Sequence, residues 1–188
     1  MRKHDTARVT LFSLSATVGL LLLLASGLPP RAQAKIKIGD FPKNNVAKHV
    51  LRTLDGREYS LASLRSQVVV LEFLAVWCAH SRDQVPALNK FDEEDRERGL
   101  KIIGIILNDS ETSQARIQQF IKDQKIEFPV AVLSYDMFEK FIESKDTGVP
   151  QALIYARSGR LAAHFEGQNE VVDKTLTAAI KQELDKKP

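Results

Sequence analysis

The chain has 188 residues, 44% of them hydrophobic and 27% charged, with 27 basic side chains against 24 acidic ones and a single cysteine. Residues 1–34 hold four of the basic side chains and one of the acids, so the remainder is formally neutral and shows no arginine-rich, aromatic-rich footprint for nucleic acid. That balance excludes a nucleic-acid partner, one cysteine excludes an internal disulfide, and the remaining length suits one domain with an ordinary core.

The N-terminus opens with Arg2, Lys3 and Arg8, runs uncharged from Val9 to Pro30 and finishes at Ala32-Gln33-Ala34. This is the basic, apolar, small-residue order of a secretory signal peptide. Residues 1–34 are read as a leader cleaved after Ala34. The alternative is an uncleaved membrane anchor, since the apolar run is long enough to span a bilayer although Ser13, Ser15, Thr17 and Gly19 thin it. On either reading the folded part works outside the cytoplasm, in a periplasm or another extracytoplasmic space. Residues 35–46 read as a lead-in segment and 47–188 as the domain.

Within the domain, Lys48–Leu54 and Arg57–Ser60 flank Asp55-Gly56, a strong hairpin turn signal. Val68–Ala75 is nearly all apolar, as expected of a central strand covered on both faces, with Glu72 inside it. Ser81–Arg98 reads as a helix with Pro86 inside it and Gly99 as its stop. Leu100–Leu107 is a second buried strand. A helix carrying Ile117, Phe120 and Ile121 follows the turn residues 108–113. Phe128–Leu133 is a third core strand and Tyr135–Ser144 a short helix. Gln151–Ala156 and Arg160–Glu166 form a hairpin about Arg157-Ser158-Gly159, and Asn169–Lys186 closes the chain as an amphipathic helix. This order predicts an α/β sandwich with a mixed central sheet flanked by helices and preceded by a β-hairpin.

Cys78 stands where the first long strand runs into a helix. Unpaired N–H groups and the helix dipole there favour the thiolate, the nucleophilic form. The competing reading is a small buried core residue. An unpaired cysteine in an exported chain is flagged as a reactive thiol or an intermolecular link. Cys78 and His80 alone fall short of the ligands a metal needs, so no metal is expected, and no cofactor.

The run Trp77-Cys78-Ala79-His80-Ser81 resembles the Trp-Cys-x-x-Cys segment of thioredoxin-like proteins. Arg82–Leu88 resembles the following helix in the TlpA-like group, related to the alkyl hydroperoxide reductase/thiol-specific antioxidant group. Gly148-Val149-Pro150 resembles that fold's cis-proline loop. The resemblance covers roughly residues 40–185 and implies the thioredoxin-like fold. It also implies a peptide-binding groove near Trp77, Val149 and Pro150, in which the backbone of Val149 pairs with an extended substrate. Glu72 falls where the family has an acid beneath the thiol pair, implicated in proton transfer; an edge-exposed carboxylate is the alternative. His80 matches a histidine found in some oxidants of this fold and is weighed evenly against an exposed polar residue. Trp77 is read as shaping the site rather than only packing.

The departure is Ser81, which stands where the resolving thiol belongs. Release of a mixed disulfide needs a second thiol, and a hydroxyl cannot supply it. The expected activity is therefore one-step exchange through Cys78, with extracytoplasmic protein thiols or disulfides as partners and an external reductant. The alternatives are a non-catalytic binding or assembly module and, more weakly, a one-cysteine peroxidase. Against the peroxidase, Ala75 stands where a Thr-x-x-Cys pocket has threonine. His49 and His164 read as surface or satisfied structural residues, and Asp92–Arg98 as a solvated helix face.

Overall fold

The computed structural model describes residues 46–110, 112–142 and 146–186. The leader or anchor at 1–34, and the lead-in except Val46, lie outside the described residues. The turn at Asp55-Gly56, with Gly56 at φ 85°, joins β1 (Leu51–Arg52) to β2 (Glu58–Tyr59) in antiparallel register. The first arm is shorter than the sequence predicts, because the chain leaves the hairpin for the edge of the main sheet. Thr53 bridges Ala131 there, and Leu54 N donates to Val130 O at 2.8 Å.

β3 (Val68–Leu74) is buried at every residue and lies at the centre of five strands. β4 (Leu100–Asn108) runs parallel to it, and β5 (Val130–Ser134) parallel to β4. On the other side β6 (Gln151–Tyr155) is antiparallel to β3, and β7 (Leu161–Glu166) antiparallel to β6. The order is therefore β5-β4-β3-β6-β7. β5 starts later than predicted: Pro129 has no N–H for the ladder. Phe128 instead packs its ring under Gly104, where an added Cβ would meet it at 2.7 Å.

Among the described residues four helices cover this sheet: α1 (Ala79–Asp95), α2 (Gln114–Asp123), α3 (Tyr135–Ile142) and α4 (Glu170–Asp185). α1 passes into a 3₁₀ turn at Arg96–Arg98 and stops at Gly99, whose φ of 88° suits glycine. Ser113 caps α2 and Asn169 caps α4 through their side-chain oxygens. Leu88 and Phe91 of α1 and Val172, Leu176 and Ile180 of α4 cover one face, over Val68, Val70, Ile102 and Ile154. Phe138 and Phe141 of α3, with Leu51 and Leu61, cover the other, over Val69, Leu71, Phe73 and Ile103. The result is the thioredoxin-like sandwich that the resemblance implies.

One reading of α1 is corrected. Asp92 and Asp95 are buried rather than solvated. Each is held by an arginine that reaches over from the next turn, Asp92 by Arg96 and Asp95 by Arg98 at 2.6 Å. The long arginine stems keep their charged heads wet while the acids they pair with lie underneath.

Candidate functional site

The apolar drive that buries β3 ends at Val76, and the chain then turns out to present Trp77, which is 52% exposed. Cys78 follows as the N-cap of α1, in extended backbone conformation, with no side-chain cap and no acid in the first helical turn. Its thiol is nearly buried and donates to Val149 O at 3.4 Å, beside the cis peptide that joins Val149 to Pro150. Cys78 and Val149, 71 residues apart in sequence, thus meet in one place and bring Pro150 with them.

Ser81 does not approach solvent. It is fully buried, and its Oγ accepts a hydrogen bond from Ala75 N at 3.2 Å, fastening the first turn of α1 to the loop after β3. His80, one residue earlier on the helix, is on the surface, and its Nδ1 lies 3.8 Å from Asp83 Oδ2. The described contacts bring Ser81 under the Cys78 loop and give His80 only a solvent-facing carboxylate.

Glu72 is the unusual member of the group. Alternation along β3 puts it on the same face as Val70 and Leu74, toward α1 and α4, and removes the edge-exposed alternative. Its cross-strand neighbours are Gly104 and Ala152, so neither flank offers it a polar side chain. Neither carboxyl oxygen has a hydrogen-bond partner among the described residues. Burial, and then the charge of Asp173 on α4, push its carboxyl well above the ordinary carboxylate range. Asp173 is itself raised by burial, although Gln168 Nε2 donates to its Oδ2 at 3.0 Å.

The sequence reading missed three contributors. Asp109, just past β4, accepts from Trp77 Nε1 at 3.0 Å and from Thr112 Oγ1 at 2.6 Å, so the exposed indole is tethered. Tyr135, at the start of α3, has its hydroxyl pKa raised by burial and then by the charges of Asp109 and Cys78, which places it within electrostatic reach of both. Gln151, the first residue of β6, is buried and bonds the loop that carries Pro150. None of these follows a motif spacing; the signal available was a polar side chain directly at a strand end, as at Asp109 after β4, Tyr135 after β5 and Gln151 at the start of β6. His164 is buried, not on the surface, and bonds Gln151. His49 is half-buried, edge-on to Phe141 at 6.1 Å.

Chemically the site offers one thiol at a helix start, an exposed aromatic beside it, a loop backbone against the sulfur and, inside the sheet, an acid whose proton affinity burial raises. Among the described residues no cluster of three or more His, Cys, Asp or Glu is placed to hold a metal.

Comparison with known proteins bears on this geometry. A thiol-disulfide oxidoreductase ResA of Bacillus cereus is 25% identical over 152 residues, covering 80% of this chain and 76% of the relative. A solved thiol:disulfide interchange protein of the thioredoxin family from Chlorobium tepidum TLS superposes with a TM-score of 0.62 at 22% identity, over 81% of this chain and 99% of its own. A secreted Mycobacterium tuberculosis disulfide oxidoreductase homologous to E. coli DsbE superposes with a TM-score of 0.58 at 15% identity, over 74% and 98%. These neighbours establish the thioredoxin-like fold. The AhpC/TSA family model matches residues 40–169, well over half of the chain, and the protein belongs to the AhpC/TSA family.

Proposed function

We propose that the chain carries out thiol–disulfide exchange outside the cytoplasm, through Cys78 alone. The Cys78 thiolate attacks a partner disulfide, the partner's other sulfur leaves as a thiol, and Cys78 is left in a mixed disulfide. An external thiol then attacks the partner's sulfur in that bond, forming a disulfide between itself and the partner and releasing Cys78 as thiolate, a step that Ser81 cannot perform. The observation that carries the reading is the meeting of Cys78 Sγ with Val149 O at 3.4 Å, which sets the sulfur beside a backbone able to align an extended peptide. Trp77 shapes the approach, Val149 and Pro150 hold the substrate strand, and Glu72 is the internal acid. His80, exposed, has at most an indirect part. Residues 1–34 act as leader or anchor and 47–188 as the working domain; the ResA and DsbE-type neighbours support both chemistry and compartment.

Capture of partners from the extracytoplasmic space tests this. Wild-type protein retains partners that reductant releases, and Cys78→Ala loses them. A second reading, a binding module without turnover, is favoured by the near-complete burial of Cys78. Partners that stay bound to Cys78→Ala, with no reductant-sensitive adduct on wild type, decide for it.

A further inference from the structure

The loop at 146–150 is held from behind by a side chain pair that the exchange chemistry does not use. Gln151 is 1% exposed, and its Nε2 lies 2.9 Å from Asp146 O and 2.7 Å from Gly148 O. Two carbonyls cannot donate, so both amide hydrogens are spent on them and the amide nitrogen must face the loop. The amide oxygen therefore points the other way, where His164 Nε2 sits at 2.7 Å, and that nitrogen must carry a hydrogen. The neutral Nε2–H tautomer and the protonated ring both meet this requirement. His164 is itself 1% exposed, on β7, in the strand next to the one that begins with Gln151.

Other bonds fix the same stretch. Gly148 N donates to Asp146 Oδ1 at 3.3 Å, and Gly167 N, past the end of β7, donates to Pro150 O at 2.8 Å. The carbonyls on both sides of Val149 are thus anchored: Gly148 O by Gln151 and Pro150 O by Gly167. Between them, Val149 O takes the Cys78 thiol, and Val149 N–H has no partner among the described residues. A backbone donor left unbonded between two anchored carbonyls is what an extended peptide needs to add as a strand.

We infer that Gln151 and His164 are a positioning pair for substrate: His164 orients the Gln151 amide, and the amide sets the Val149 backbone for an incoming extended peptide. Neither residue touches the reacting atoms. The inference rests on the exchange reading for what arrives at the groove, but its mechanical part concerns the loop alone. An unpaired amide or imidazole in this interior would also be costly, so the pair is specified in full or not at all.

The test uses a short extended peptide whose single cysteine is disulfide-linked to thionitrobenzoate. Attack by Cys78 forms the Cys78–peptide disulfide, breaks the peptide–thionitrobenzoate bond and releases coloured thionitrobenzoate, the Cys78 proton passing to solvent. Gln151→Leu and His164→Leu are expected to raise the half-saturating peptide concentration about tenfold, roughly 1.4 kcal/mol. Their reaction with iodoacetamide, which needs no strand pairing with Val149, feels the loop only through the Val149 O contact to Cys78 Sγ and changes by less than the half-saturating peptide concentration does. His164→Gln keeps an N–H at similar reach and stays near wild type. Unchanged half-saturation in a folded Gln151→Leu protein overturns the pair, as does a His164→Gln protein that behaves like His164→Leu. Binding of the same peptide with serine for cysteine, followed at the Val149 amide by NMR, separates the two claims. If wild-type Cys78 is inert but the Val149 resonance moves with peptide, and does not in Gln151→Leu, the exchange reading falls and the pair stands. If wild type shows neither adduct nor shift, both fall.

Discussion

Where β3 and β4 begin, Arg157 donates to Ser66 O at 3.1 Å and Arg98 O at 2.8 Å, and Arg98 spans Asp95 and Asp185 at 2.6 Å each. Toward the ends of the same strands, Glu72 is buried with neither oxygen bonded among the described residues, Trp77 stands out in solvent, and the one thiol leans on a loop carbonyl. The first region pairs its charged groups with acids and carbonyls, leaving only single atoms such as Arg157 Nε and Gln67 Oε1 unbonded among the described residues, and carries no thiol. The second leaves an acid unpartnered, an arrangement that costs stability and that a purely structural core avoids. The contrast separates the groups that hold this fold together from the groups to which the proposed function assigns the chemistry.

Four changes sharpen or break that division. Ser81→Cys has the largest expected effect: oxidation closes a disulfide between Cys78 and the introduced thiol, seen as complete loss of alkylatable thiol and a mass lower by two hydrogens. A variant that stays fully alkylatable after oxidation shows that the buried hydroxyl position is turned away from Cys78. Arg157→Ala removes charged bonds to several carbonyls and should cost about 3 kcal/mol, roughly 9 °C in melting temperature, while Cys78 reacts as before. Altered Cys78 reactivity in the folded variant would erase the separation of the two regions. Glu72→Gln acts through pH. Glu72 holds its proton to higher pH in the folded chain than in the unfolded one, so its contribution to stability falls as pH rises from the ordinary carboxylate range toward the folded value. Glutamine cannot ionise, so the variant should match wild type near pH 4 and melt about 3 °C higher at pH 8, on the order of 1 kcal/mol. Parallel melting curves across that range would mean Glu72 is not held protonated. His80→Ala is expected to change the alkylation rate by less than about twofold, because the ring faces solvent and Asp83. A larger change means that His80 does act on the thiol.

Much of the fold was legible because it depends on local or periodic features. The apolar run at β3, the turn at Asp55-Gly56 and the stop at Gly99 each act through a residue type whose conformational demand is visible in one dimension. The site was legible where a short motif spans it, at Trp77 to Ser81, and at Pro150. Its remaining parts were not, since Asp109 reaches Trp77 across 32 residues and the Gln151–His164 bond forms only once β6 and β7 pair. Asp92 escaped for a related reason: an acid in a charged segment looks solvated until tertiary packing decides which helix face is covered. Glu72 stood out in sequence, but its lack of partners is a property of the packed sheet.

The central claim is that Cys78 turns over only with outside help. Repeated reaction of wild-type protein with a peptide disulfide, at rising concentrations of an external thiol, measures this directly. The account predicts a single stoichiometric adduct on Cys78 when no thiol is added, and turnover that then rises in proportion to the thiol supplied. Turnover without added thiol, or no adduct on Cys78 at all, would contradict it.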